Sequence, residues 1–306
     1  MAVAARSSPR TASTPAATAG TLRLGRLAGR VLTYAVLIAW GFVCLFPIYW
    51  TFTTSLKDQV GVLQGPTYVP YVDFQPSSIG WESILGEEDQ RQTIVRNARN
   101  SLLIALFSAA LAVVLGSMAG YGLARFSYRF GIWRNRDISF WFLSQLILPP
   151  AAVVMPILIL YRELNLLDTQ LGLILLYTVV SLPIVIWIMR DQFNSIPIEL
   201  EQAALVDGST LFGAFARIVV PIAAPGMVAA FILSVIFAWN EYFFAAVLSA
   251  TRAVTLPLLV ATQVSSQGVK WWAMAAVASA AILPLTVIGV LLERYIVKGL
   301  TAGAVK

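Results

Sequence analysis

Apolar positions gather along the chain in long runs, roughly 31–54, 100–124, 138–160, 171–189, 223–248 and 273–292, with polar stretches between them. A helix needs about 20 apolar residues to cross the hydrocarbon core of a bilayer, and each run is close to that length. The pattern predicts an all-α membrane protein with six transmembrane helices, one per run. The first run is too long for the apolar core of a signal peptide. It leads into no small-residue cleavage site with a polar domain behind it, so it reads as a retained span. Ahead of it, residues 1–27 mix Ala, Ser, Thr, Pro and Arg without apolar periodicity, which predicts a disordered tail.

Prolines and glycines punctuate these runs. Pro149, Pro150 and Pro156 fall in the third and Pro183 in the fourth. Kinked or interrupted helices are expected there, which lipid tolerates only where neighbouring helices or a cavity satisfy the freed backbone groups. The second run holds GSMAG, whose Gly116 and Gly120 lie one helical turn apart and suit close packing against another helix. Lys and Arg are spread unevenly. Twice as many lie before the first run and after the second, fourth and sixth (Arg6 to Arg30, Arg125 to Arg136, Arg190 with Arg217, Arg294 to Lys306) as in the remaining segments. The positive-inside rule then puts both termini in the cytoplasm. Trp271 and Trp272, ahead of the last run, fit an outer interfacial belt.

Composition narrows the chemistry. Of 306 residues, 58% are apolar and 12% charged, with a mean hydropathy of +0.78, whereas a soluble domain carries about 25% charged residues. Histidine is absent and Cys44, a single cysteine, lies inside an apolar run where it reads as a small buried filler. His-based triads, His or Cys metal sites and disulfides are thereby excluded. No Gly-Lys dipeptide occurs, so there is no Walker A phosphate loop. The chain is not expected to be an enzyme or to hold a cofactor, and ATP, if used, must bind another chain. The net charge of +6 is explained by the positive-inside bias and calls for no nucleic acid.

Two polar loops are long. The outer one, 57–99, carries Pro66, Pro70 and Pro76, several aromatics and the acidic cluster Glu87, Glu88 and Asp89. It is long enough to form a small cap or to meet an external protein, and a solvated connector is an equal alternative. The inner one, 191–221, reads DQFNSIPIELEQAALVDGSTLFGAFARIVVP. Pro197 suits the first turn of a helix, and Glu199 and Glu201 favour its N-terminus. Leu200, Ala203, Ala204 and Asp207 fall at i, i+3, i+4 and i+7, so Leu200 and the two alanines share one narrow face. Asp207-Gly208 should end that helix, with glycine in the left-handed region. Ser209 or Thr210 should cap a second helix running to Pro221. Local rules thus give a helix–turn–helix below the membrane whose small residues suit a partner's groove.

Ala203, Ala204, Gly208, Ile218 and Pro221 stand at the spacing of a conserved cytoplasmic loop, Glu-Ala-Ala, Gly after three residues, then Ile-x-Leu-Pro. In this the chain resembles ABC-importer permeases. It departs at Gln202, where those proteins usually have Glu, and at Val220, where they usually have Leu. Glu201 projects about 100° away from Gln202 on a helix, which makes it an imperfect substitute. PIYWTFTTSLK, RNSLLIALFSAALAVVLGSMAGYGLARFSY, FAWNEYFFA and ERYIVKGLTAGAVK, in this order, further resemble the shorter of the two paired permeases in carbohydrate importers of the maltose type. The resemblance implies a type I importer permease fold over 28–306 in the cytoplasmic membrane of a bacterium or archaeon. It implies as partners a homologous second permease, two ATPase subunits that bind ATP and Mg, and an extracytoplasmic solute-binding protein delivering a sugar or polyol. It also implies that Glu199, Glu201, Gln202, Ala203, Ala204, Asp207, Gly208, Ile218 and Pro221 belong to the loop that engages the ATPase, and that the C-terminal GLTAGAVK can reach the same interface.

Within the spans, Glu241 in AWNEYFF is the strongest anomaly, since an ionisable residue there is expensive. Its plain reading is an interfacial carboxylate hydrogen-bonded within the bundle, and its functional reading is a lining group of the solute path beside Trp239 and Asn240. Ser144, Gln145, Tyr177 and Ser181 are further polar candidates for that path. Two other functions compete with an importer subunit. A secondary carrier would want acids near the midplane, and none is present. A non-transporting membrane scaffold would leave the 197–221 loop unexplained.

Overall fold

A computed structural model describes residues 18–265 and 268–301 and divides into two units, 1–50 and 51–306. The first unit is described through helix α1 (Thr18–Ser55), whose last residues enter the second. The helix begins inside the stretch expected to be a disordered tail, because Leu22, Leu24 and Leu27 among Ala and Arg are good helix formers. Residues 1–17 of that tail lie outside the described residues, as do residues 302–306 of the C-terminal segment. Cys44 is exposed on α1 rather than buried, since the apolar run of a spanning helix can face lipid.

In the second unit, residues 57–87 fold into a cap of α2 (Gln59–Leu63) and α3 (Ile79–Leu85) rather than a plain connector. Its centre is Lys57, which is buried, donates from Nζ to the Thr67 carbonyl at 2.7 Å and lies 4.9 Å from the Phe74 ring centre. Burial lowers the pKa of this ammonium, and the charge of Asp73 partly offsets that. Next comes α4 (Glu88–Arg125), which starts three turns earlier than its apolar run because Glu88 and Asp89 favour a helix N-terminus. The acidic cluster is therefore a helix start, and the expected 57–99 loop ends at about residue 87.

A small hairpin, β1 (Arg129–Phe130) with β2 (Trp133–Arg134), leads to α5 (Asn135–Ser144). A 3₁₀ turn and α6 (Pro150–Glu163) complete the third run, with a 92° bend between the two halves. Pro149 and Pro150 offer no N–H to continue the first half, so the expected interruption falls there. Then follow α7 (Gln170–Asn194), α8 (Glu199–Val206), α9 (Leu211–Ala214), α10 (Val220–Asn240), α11 (Phe243–Leu248) and α12 (Leu256–Ala261). A second hairpin, β3 (Val264–Ser265) with β4 (Gly268–Val269), precedes α13 (Trp271–Thr301). Among the described residues, five helices are long and apolar enough to span a membrane, or six with the bent pair counted as one. The fifth expected span, 223–248, is two helices, α10 and α11, separated at Glu241 and Tyr242.

Helices α4 and α7 form the central pair. A Cβ on Gly116 would stand 2.6 Å from Val185 Cγ1, and one on Gly120 would stand 2.9 Å from the Arg190 nitrogen. GSMAG is therefore the seam of this pair. Helix α10 packs across both and against α13. One apolar cluster, around Tyr121, Val185, Met189, Phe193 and Val219, lies toward the end of the bundle that carries α8. A larger one, around Ile104, Leu173, Tyr177, Trp239 and Phe244, lies toward the far end.

Candidate functional site

The α8 hairpin is built as local rules dictate, up to its second helix. Glu199 and Glu201 occupy the first turn of α8. Its end is closed by Gly208 N–H to the Leu205 carbonyl at 3.1 Å and by Ser209 N–H to the Ala204 carbonyl at 2.9 Å. Gly208 has φ +86, the left-handed conformation that a glycine takes without strain. Thr210 Oγ1 then accepts from Gly213 N–H at 3.1 Å and starts α9. The second helix does not end at Pro221. A π turn over Phe215–Val219 joins α9 to α10, and Pro221 falls in the first turn of α10. The wider turn accommodates a residue without an N–H, so the chain passes unbroken from hairpin into span.

What fastens this hairpin to the bundle is a buried charge pair. Glu201 is 4% exposed. Its Oε1 accepts from Arg125 Nε at 2.5 Å and its Oε2 from the Tyr121 hydroxyl at 2.6 Å. Arg125 Nη2 also donates to the Ile196 carbonyl at 2.9 Å. Tyr121 and Arg125 lie one turn apart on α4, so both reach the same carboxylate. The Tyr121 ring packs against Phe215 at 4.5 Å and edge-on to Phe193 at 5.6 Å. Removing one member of such a buried pair costs about 3–5 kcal/mol, because the other charge is stranded.

The expected single face of α8 is thereby divided. Ala204 is buried beside Glu201, whereas Leu200, Ala203 and Asp207 are exposed. Glu201 faces the bundle, so within the loop expected to engage the ATPase it serves as an anchor. Glu199, Gln202, Gly208 and Pro221 are exposed as well, and Ile218 is half-buried. Val206, 87% exposed, and Phe212, 73% exposed, stand at the tip of the hairpin with Leu205 and Leu211 near them. The tip of the anchored hairpin is therefore an exposed apolar patch, a feature that commonly marks interaction sites.

Of the residues expected along a solute path, two meet. The Tyr177 hydroxyl donates to Glu241 Oε2 at 2.5 Å, while Glu241 Oε1 accepts from Phe244 N–H at 2.9 Å and Oε2 from Ala245 N–H at 3.2 Å. Glu241 thus caps α11 at the helix break. Asn240 beside it is exposed and bonds the Ile236 carbonyl at 2.8 Å. Ser144 and Gln145 lie at the α5–α6 break and both donate to the Trp141 carbonyl. Ser181 is buried in α7.

Sequence reasoning missed Tyr121 and Arg125, although a tyrosine and arginine one turn apart at a helix end, opposite a surplus Glu, is a readable signal. It also missed a clasp at the far end. The Asp168 carboxylate accepts from the backbone N–H groups of Ala250, Thr251, Arg252 and Ala253 and from the Thr251 hydroxyl. Burial raises its pKa, but the four backbone donors outweigh that and hold it well below the usual carboxylate range. Asn100 adds bonds to the Arg252 and Val254 carbonyls at 2.8 and 2.9 Å, so α4, α7 and the α11–α12 turn are tied together.

Comparison with known proteins agrees with this architecture. The chain is 36% identical over 266 residues to the trehalose transport system permease protein SugB of Mycobacterium tuberculosis, covering 86% of this chain and 92% of that one. It is 32% identical to the sulfoquinovosyl glycerol transport system permease protein SmoH of Agrobacterium fabrum, covering 86% and 89%. In fold it is similar to a chain of a bacterial ABC transporter that imports the acidic polysaccharide alginate, with a TM-score of 0.67, 21% identity and coverage of 89% and 98%. Residues 112–302, which hold the α4–α7 seam, the anchored hairpin and the capped break, match the model of one family. The chain is a multi-pass membrane protein of the family of inner membrane components of binding-protein-dependent transport systems.

Proposed function

We propose that this chain is the transmembrane subunit of an ATP-driven importer for a sugar or sugar-like solute, an oligosaccharide, disaccharide or polyol. The observation that carries it is the α8 hairpin, held by a buried Glu201–Arg125 pair while its tip offers Val206, Phe212, Ala203 and Gln202 to a partner. The permeases named for trehalose and for sulfoquinovosyl glycerol support the solute class. The partner at the tip is one of two ATPase subunits, which bind ATP and Mg. A homologous second permease completes the path, and an extracytoplasmic binding protein delivers the solute at the far end. The α8 end and both termini then face the cytoplasm, in keeping with the Lys and Arg distribution.

The mechanism follows from stiffness. Closure of the ATPase pair moves the hairpin tip. The ion pair, the Tyr121 ring contacts and the unbroken α9–α10 passage carry that displacement into α4, α7 and α10 without a slack loop between. Interfaces packed this tightly switch between discrete arrangements rather than deforming smoothly. The test is Gly208→Glu, which puts a strained, bulky charge at the tip while, its chain neighbours aside, no atom of the described residues lies within 4 Å of the new Cβ. Membrane insertion should be normal, with uptake lost or the ATPase released. Full uptake would mean that the hairpin is not the coupling element.

A further inference from the structure

The α8 end of the bundle also carries a cavity of about 440 Å³ between α5 and α7, lined by Arg136, Asp137, Phe140, Leu143, Trp187 and Arg190 among others. Its charge is not balanced from within. The Asp137 carboxylate is engaged by the Arg134 backbone N–H at 2.9 Å. Arg190 Nε is buried and has no hydrogen-bond partner among the described residues. A buried donor without an acceptor carries a desolvation penalty that a bound anion would remove. The Arg190 backbone is itself fixed, because α4 approaches it so closely at Gly120. The remaining wall is apolar and open, with Phe140 68% and Trp187 47% exposed.

The β1–β2 hairpin, a few residues before α5, points to the same ligand independently. Its tip presents Phe130, 83% exposed, and Ile132, 90% exposed, between the cross-strand pair Arg129 and Arg134. An apolar tip between arginines suits the headgroup layer of an anionic leaflet, where the side chains leave water and the guanidinium groups meet phosphate.

We infer that this end of the protein binds a glycerophospholipid with an anionic headgroup. Its phosphate lies in the α5–α7 cavity with Arg136 and Arg190, its acyl chains run along Phe140 and Trp187, and the hairpin tip sits in the surrounding headgroup layer. The inference rests on the reading of the α8 end as cytoplasmic, where juxtamembrane arginines meet anionic lipid. Inorganic phosphate would satisfy the same two arginines, but it gives no reason for the exposed aromatic wall or the hairpin tip. Because Arg190 runs directly into the segment that leads to α8, the headgroup stands at the root of the coupling hairpin.

The test uses the transporter assembled with its partner subunits, in nanodiscs of phosphatidylcholine containing a minor share of phosphatidylglycerol. Native mass spectrometry reads the ratio of the two lipids retained. The wild type should retain phosphatidylglycerol preferentially. Arg136→Gln and Arg190→Gln should each lower that preference about five-fold, and together multiplicatively. Arg136→Lys with Arg190→Lys should keep most of it, which separates lost charge from damaged folding. An undiminished preference in the double Gln variant would overturn the inference, as would burial of the cavity by the second permease with no lipid retained. Displacement of the lipid by millimolar inorganic phosphate would assign the site to a free anion instead. A preference intact in an assembly that fails to hold the ATPase would sink the coupling reading and leave this one standing.

Discussion

Two carboxylates at opposite ends of the bundle are each held by a tyrosine hydroxyl, Glu201 by Tyr121 at 2.6 Å and Glu241 by Tyr177 at 2.5 Å. Their remaining partners differ. Glu201 meets a guanidinium from another helix, whereas Glu241 meets the backbone N–H groups of the short helix that follows it. A charge answered by a distant charge ties two elements together. A charge answered mostly by neighbouring amides repairs a local break, here with the Tyr177 hydroxyl tying that break to α7. Under the proposed function the first suits an element that passes force between subunits, and the second suits a span that bends. In the sequence Glu241 stands out as an acid within an apolar run and Glu201 reads as an ordinary helix-start acid, so what each holds is seen only from its partners.

The comparison can be broken most severely at the α8 end. Arg125→Leu or Glu201→Leu alone should destabilise the protein by about 3–5 kcal/mol, read as a lowered thermal midpoint of the purified complex, with uptake lost. Arg125→Leu combined with Glu201→Leu should recover much of the midpoint, because no charge is stranded, and a double-mutant cycle would show the coupling. Additive losses would mean that the pair does not act as a unit. A smaller effect is expected at the hairpin turn, where Gly208→Ala places a Cβ in the left-handed region at about 1–2 kcal/mol. It should reduce coupled ATP hydrolysis more than it lowers the midpoint.

At the far end, Glu241→Ala removes a helix cap, expected to cost about 0.5–2 kcal/mol, and Glu241→Gln less still, because its amide oxygen can keep the Phe244 N–H while its NH2 donates to the Tyr177 hydroxyl oxygen. Uptake should follow stability in both. Uptake abolished by Glu241→Gln at an unchanged midpoint would return this residue to the solute path. The mildest test concerns Asp168, whose folded-state pKa is depressed. Its stabilising contribution is complete above the ordinary carboxylate value of about 4 and is lost as pH falls from there through the lower folded value. Hydrogen exchange at residues 250–253 should therefore remain protected at pH 5, and early loss of protection there would contradict the clasp.

The all-helical, multi-span class, the interruption at Pro149 and Pro150, the Gly116–Gly120 seam and the turn at Gly208 were legible because each follows from local chemistry: run length, a missing N–H, a missing Cβ, a left-handed φ. Helix starts were less so. Glu88 and Asp89 read as a polar loop because the length of an apolar run says nothing about the solvated turns of a long helix. The division of α8 into an anchored and a free face was not legible either. Periodicity places Leu200, Ala203, Ala204 and Asp207 together, but the face that is buried is chosen by Arg125 and Tyr121, about 75–80 residues earlier in the chain. The Asp168 clasp has no local signature at all, since its donors are backbone groups more than 80 residues away.

The most direct measurement is photo-crosslinking from position 206, the most exposed point of the hairpin, in the assembled transporter in its membrane. A photoreactive residue replacing Val206 should link to the ATPase subunit in high yield, and a second label at Asn240 should not. Linkage of position 206 only to lipid or to the second permease would contradict the assignment of this hairpin as the coupling element.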